Sequence, residues 1–161
     1  DENSSITISG GKITINASGD GIDSNGNFYV KGGEIYVSGP ENDGNGALDY
    51  SGDAQITGGT IVAAGMSGMA QNFGSSSTQG SILLNVSSRS SGAVTVKDSS
   101  GSVIISFTPE KEYNSVVIST PDIKKGETYT VSQNFPAIQK HQYRKFSFIS
   151  PFIKYYYILC R

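Results

Sequence analysis

Histidine and cysteine are almost missing from this chain. It has one of each, His141 and Cys160, and no tryptophan. A lone cysteine cannot build a disulfide framework. One His and one Cys cannot supply the nitrogen and sulfur donors of a zinc-type site. With no His before residue 141, the first 132 residues cannot assemble a Ser-His-Asp triad. Charged residues make up only 16% of the chain. No apolar run approaches the roughly 18 residues of a membrane-spanning helix, so membrane insertion is not expected. Position 1 is not Met and no signal-peptide pattern follows, so the sequence reads as a mature or excised piece of a longer protein. "GSSSTQGS" (Gly74–Ser81) lacks the lysine that a phosphate-binding P-loop requires.

Acids are missing from one region only. All 14 lie at or before Glu127, against seven Lys/Arg in residues 1–132, which gives that part a net charge of −7. From Gln133 on there are five cations (Lys140, Arg144, Lys145, Lys154 and Arg161), eight aromatics and no glycine. An acidic body is a poor surface for nucleic acid, so no nucleic-acid partner is expected. The tail's composition admits a membrane-surface segment, a partner-binding strand, or an out-of-frame or chimeric extension that never served the fold. The third reading is favoured because the change at Gln133 is abrupt.

What is abundant is glycine, 20 residues, with Ser, Thr and Asn. That mixture alone would suit a disordered linker, but Ile and Val alternate through it as they do in short strands. "ISGGKITI" (Ile8–Ile15), "VKGGEIYV" (Val30–Val37) and "ITGGTIVA" (Ile56–Ala63) share one pattern of apolar residue, Gly-Gly corner and alternating apolar pair. Successive Gly pairs lie 22 and 26 residues apart, and each unit ends in a polar, Gly-rich loop. A unit of that length cannot bury its apolar face alone, whereas stacked units can. The spacing predicts an all-β fold of parallel β-helix coils over residues 1–80. Ile6, Ile8, Ile13, Ile15, Val30, Ile35, Val37, Ile56 and Ile61 should point inward. An antiparallel sandwich with Gly-Gly hairpins is the alternative; the whole-unit similarity of the repeats argues against it. Residues 81–132 lose the Gly-Gly pattern and read as five strands, with turns at "DSSGS" and "DIKKGE". They are expected to extend the coils or cap their open edge. Residues 133–161 form the third segment.

The loops carry the candidate chemistry. "GDGIDSNG" (Gly19–Gly26) and "GNGALDYSG" (Gly44–Gly52) are ordinary turn sequences taken singly. Stacked about 4.8 Å apart, they would place Asp20 near Asn45 and Asp23 near Asp49. Two carboxylates at that distance repel unless a cation lies between them. Asp20, Asp23, Asn25, Asp43, Asn45 and Asp49 offer hard oxygen donors, which suit Ca²⁺. The third loop, "GMSGMAQNFG", has no acid, so a metal belongs to the first two. Tyr50, Tyr36 and Tyr29 are candidate platforms for sugar rings, or plain sheet cover.

"GDGIDSNG", "GGEIYVSGP", "GNGALDYSG", "GGTIVAAGMSGMAQ", "KDSSGSVIISFTP" and "VVISTPDIKKGETYTV" follow one another in that order. Across residues 5–131 the chain thereby resembles the secreted bacterial carbohydrate-binding-domain family related to polygalacturonate-binding β-helix proteins. The resemblance implies a right-handed parallel β-helix of pectate-lyase-like fold and bound calcium, with Asp20, Asp23, Asn45 and Asp49 as its positions. It also implies binding of acidic plant-wall polysaccharide, with cellulose as a further candidate, at the bacterial cell surface or outside the cell. The chain departs from the family in lacking upstream coils and in its sequence after Val131.

Three functions follow for testing. The first is a non-catalytic, calcium-dependent binder of acidic polysaccharide. The second is a surface module that calcium only stabilises. The third is a polysaccharide lyase, which needs a base at the ring proton. Lyases of this fold use Arg or Lys there. Arg89, the only Arg of residues 1–132, lies outside the repeated loops, and Lys12 and Lys31 lie beside the Gly-Gly corners. The chain is therefore read as non-catalytic.

Overall fold

A computed structural model describes residues 4–134 and 153–160. His141, Lys140, Arg144, Lys145 and Arg161 lie outside the described residues. Among the described residues the chain is all β, with mixed parallel and antiparallel sheets.

Two long strands, β1 (Ser5–Asn16) and β3 (Asn27–Ser38), run parallel, with Ile6 beside Phe28 and Ile13 beside Ile35. Each bends at its Gly-Gly corner, where Gly11 and Gly33 take φ of 87° and 95°. Two shorter strands, β5 (Ala54–Ile56) and β6 (Thr60–Gly65), flank the third corner at Gly59 and pair parallel with the two halves of β3. The chain therefore passes the same two ladders three times. Between passes, β2 (Ile22–Ser24) and β4 (Leu48–Tyr50) form a third parallel ladder. Phe28, Val30, Ile35, Val37, Leu48, Ile56 and Ile61 fill one core between the ladders. Phe73, from the third loop, closes it by stacking on Phe28 with ring centroids 5.7 Å apart.

The five strands expected in residues 81–132 are all present: β7 (Ile82–Ser90), β8 (Val94–Lys97), β9 (Val103–Phe107), β10 (Tyr113–Ser119) and β11 (Thr128–Asn134). β10 adds antiparallel to β6 and β7 adds antiparallel to β10, so the edge of the last parallel strand is covered. The others form a second sheet in the order β12-β11-β8-β9, where β12 is Ile153–Leu159. β11 runs through the compositional break at Gln133, and β12 pairs with it from Thr128 to Asn134. Cys160, just beyond β12, is buried.

The second sheet lies on the outer face of the first. Val62, Ala64, Ile82, Leu84, Val116 and Ile118 meet Val94, Val96, Tyr129 and Val131 in a second core. This explains why five consecutive residues of β6, Ile61 to Gly65, are all buried. Ile61 and Ala63 face the first core, and Val62 and Ala64 the second.

The third loop and the segment after it cap the edges of β4 and β5 with side chains. The Gln71 amide accepts the Tyr50 N–H at 2.9 Å and donates to the Tyr50 carbonyl at 3.1 Å. It thus occupies the place of a further strand beside β4. The Ser77 hydroxyl accepts the Ile56 N–H at 3.1 Å. Gln71→Ala strips both bonds from the Tyr50 backbone and should cost about 1–3 kcal/mol. In urea the unfolding midpoint should fall with little change in slope; an unmoved midpoint would show that water serves this edge equally well.

Candidate functional site

The β2–β4 ladder sets Ile22 beside Leu48, Asp23 beside Asp49 and Ser24 beside Tyr50. Side chains alternate along a strand. Ile22, Ser24 and Leu48 are accordingly buried, Asp23 is exposed and Asp49 half-buried. Parallel neighbours lie about 4.8 Å apart, so Asp23 and Asp49 leave one edge of the molecule from adjacent strands. Asp20 joins them from the preceding loop. Burial first, then the charge of Asp20, then that of Asp23, push the Asp49 carboxyl above its ordinary value. The Asp20 and Asp23 charges are thus close enough to oppose the ionisation of Asp49.

Asp20 does not pair with Asn45 as the aligned glycines suggest. Its carboxylate accepts the Gly46 N–H at 2.7 Å. The ladder keeps the 26-residue offset of Ile22 and Leu48 back into the loop, so Asn45 falls beside Gly19 instead. Asn45 donates to the Asn42 side-chain oxygen at 2.7 Å, and that oxygen also accepts the Gly44 N–H at 3.1 Å. Asp43 is exposed and turns toward the third loop, where it accepts the Gly68 N–H at 3.0 Å. Asn25 is exposed in the turn after β2. Of the six expected oxygen donors, the structure thus gathers Asp20, Asp23 and Asp49 at one edge.

These donors are hard oxygens, the class that suits calcium. Among the described residues, no group of three or more His, Cys, Asp or Glu side chains is closed tightly enough to hold a metal ion by itself. An ion at the Asp23–Asp49 edge would draw its remaining oxygens from backbone carbonyls, water or a ligand.

The three candidate tyrosines stand on three different ladders and form no common platform. Tyr29 is half-buried between Thr7 and Gln55 on the first ladder. Tyr36 lies on the outer face of the second, where its ring stacks on Phe107 with centroids 5.1 Å apart. Tyr50 lies on the third, but one residue after Asp49 and therefore on the opposite side of the strand. Its ring packs against the first core and its hydroxyl donates to the Asn72 carbonyl.

Arg89 sits in β7, away from the β2–β4 ladder. Sequence reading passed over Gln71, because a side chain standing in for a strand leaves no periodic trace. It also passed over Phe107, whose partner Tyr36 is distant in sequence. No protein-family model matches the chain, and no curated protein and no solved structure is significantly similar to it.

Proposed function

We propose that the chain is a non-catalytic, calcium-dependent binder of acidic polysaccharide of the polygalacturonate kind, carried on a right-handed parallel β-helix. Three passes over the same two ladders, with a third ladder between passes, support the helical reading. Parallel strands of one sheet joined by such crossovers are right-handed in about 98% of cases. The extracellular or cell-surface setting comes from the family resemblance alone.

The observation that carries the binding function is the in-register pair Asp23 and Asp49 with Asp20 beside it. Bound calcium would supply a divalent charge that offsets their repulsion and attracts the carboxylates of the sugar. The chain's part is to hold Asp23 and Asp49 on adjacent coils and to leave their outer side open. An open donor set suits an ion shared with a ligand, because the ligand's carboxylates complete it. An acidic body would otherwise repel an acidic polymer.

A second reading has its own observation. Asp20 and Asp43 each accept a backbone N–H from the next loop, which is a role in holding coils together. On that reading calcium stabilises a structural module and no glycan binds.

Retention on immobilised polygalacturonate, run with calcium and with excess chelator, separates the two. Retention should fall at least tenfold in chelator. A calcium-dependent melting temperature without any retention would establish the structural module instead.

A further inference from the structure

We propose that the groove beside Tyr36 and Phe107 is a second subsite, which takes an acidic sugar ring without calcium. It rests on the reading of the protein as a binder of acidic polysaccharide, but it lies on a different ladder from Asp23 and Asp49. The groove measures about 320 Å³ and is lined by Lys12, Thr14, Tyr36, Ser106 and Phe107.

Each element of the groove is placed by the fold. Tyr36 projects from the outer face of β3, beside Thr14 of β1 in the register. Phe107 ends β9 in the second sheet and stacks on Tyr36 at an interplanar angle of 26°. Both rings pack against the second core, so the aromatic step is fixed by the docking of one sheet on the other. Lys12 lies two residues before Thr14, on the same face of β1. Its ammonium stands 5.9 Å from the centre of the Tyr36 ring. Its ion pair with Glu34 is long, 3.9 Å, and the two side chains are 72% and 55% exposed. A pair so exposed is worth little, and the Lys12 charge remains available to an incoming carboxylate.

Each of these groups answers one part of a uronate. The apolar C–H face of a pyranose ring packs on an aromatic surface. Thr14 and Ser106 present exposed hydroxyls for ring hydroxyls, Ser106 being already linked to Thr95 at 2.8 Å. Lys12 matches the carboxylate by a charge-assisted hydrogen bond. A neutral hexose would leave Lys12 unused. Burial, and then the Glu34 charge, push the Tyr36 hydroxyl above its ordinary value, so it stays a neutral donor at neutral pH.

The test is titration of trigalacturonate in excess chelator, followed by NMR, with a neutral galactose trimer as the comparison. The wild-type protein should bind the acidic trimer weakly and more tightly than the neutral one, with shifts at Tyr36 and Phe107. Lys12→Gln should weaken acidic binding roughly tenfold, the loss of one charged hydrogen bond, and bring the two trimers together. Asp23→Asn/Asp49→Asn should leave this titration unchanged. Overturning outcomes are no binding in chelator, or a Lys12→Gln affinity equal to wild type. The calcium reading fails separately, if the Asp23→Asn/Asp49→Asn protein keeps wild-type retention on polygalacturonate in calcium.

Discussion

Asp49→Asn will raise the unfolding midpoint in chelator and lower it in calcium, relative to the wild-type protein. The inversion follows from one cluster. Without a cation, Asp49 is held above its ordinary value by burial and by Asp20 and Asp23. Neutralising it removes a repulsion that, between partly exposed charges some 4–5 Å apart, is worth about 1 kcal/mol or less. If calcium binds as proposed, the same substitution removes one of its ligands. A cation at a hundred times its dissociation constant stabilises the folded state by about 2.7 kcal/mol, and the variant should lose most of that gain. Calcium that shifts neither midpoint would show that this edge holds no ion.

The same carboxyl sets a pH dependence. Its folded value is raised above the ordinary 3.8, so the folded state holds the proton more tightly than the unfolded one. In chelator, this group's contribution is fully present below 3.8 and is lost as pH rises through its higher folded value. Calcium at the proposed site would compete with the proton for the same oxygens, so calcium affinity should fall as pH drops through that window. Calorimetric titrations across it, with wild type and Asp49→Asn, would read both effects.

The repeat was legible because three of its features are local. Gly-Gly pairs mark the corners, alternating Ile and Val mark the inward face, and the spacing sets the pass length. The strands of residues 81–132 were legible for a similar reason. The Asp98 turn, for example, closes on itself through bonds from the Ser100 and Ser102 N–H groups, both 2.9 Å. What escaped is nonlocal. Nothing in "TIVAAG" says that Val62 and Ala64 are covered by a second sheet, because that cover comes from β8 and β11. Strand β12 defeats periodicity in the same way: "FIKYYYILC" has no alternation, yet its backbone pairs along the whole of β11.

The candidate site was legible in its residue types and less so in its register. Asp23 beside Asp49 and Asp20 beside Asn45 require offsets of 26 and 25, and a continuous ladder can keep only one. The hydrogen bonds of Gly21 and Ile22 to the Gly46 and Ala47 carbonyls hold 26 through the loop. Asn45 is displaced by one residue, which is enough to turn a side chain away. The tyrosines separate because the Gly-Gly corner lies between Tyr29 and Tyr36. It shifts the alternation of β3, so both point outward, but on different ladders and different sides of the molecule.

The Gly-Gly corners yield a prediction that separates two physical reasons for glycine. Gly11, Gly33 and Gly59 have positive φ, and Ala there pays about 1–2 kcal/mol for the left-handed backbone. Gly10, Gly32 and Gly58 do not, so Ala there pays only for space. A methyl on Gly32 would lie 2.8 Å from the Ser9 carbonyl oxygen, and one on Gly58 would lie 2.8 Å from that of Lys31. At Gly10 and Gly11 nothing lies within 4 Å. Overpacking of this kind costs about 1–3 kcal/mol. Gly10→Ala should therefore be near neutral, and Gly11→Ala should lose only the backbone cost. Gly32→Ala and Gly58→Ala should lose the packing cost. Gly33→Ala and Gly59→Ala, whose methyls would also meet the preceding corner at 2.8 Å, should lose both, about 2–5 kcal/mol. Six urea unfolding curves decide the matter. Equal losses at all three corners would mean that backbone angle alone selects glycine. A graded series, mildest in β1, would mean that glycine at the two later corners also answers the close approach of the preceding pass.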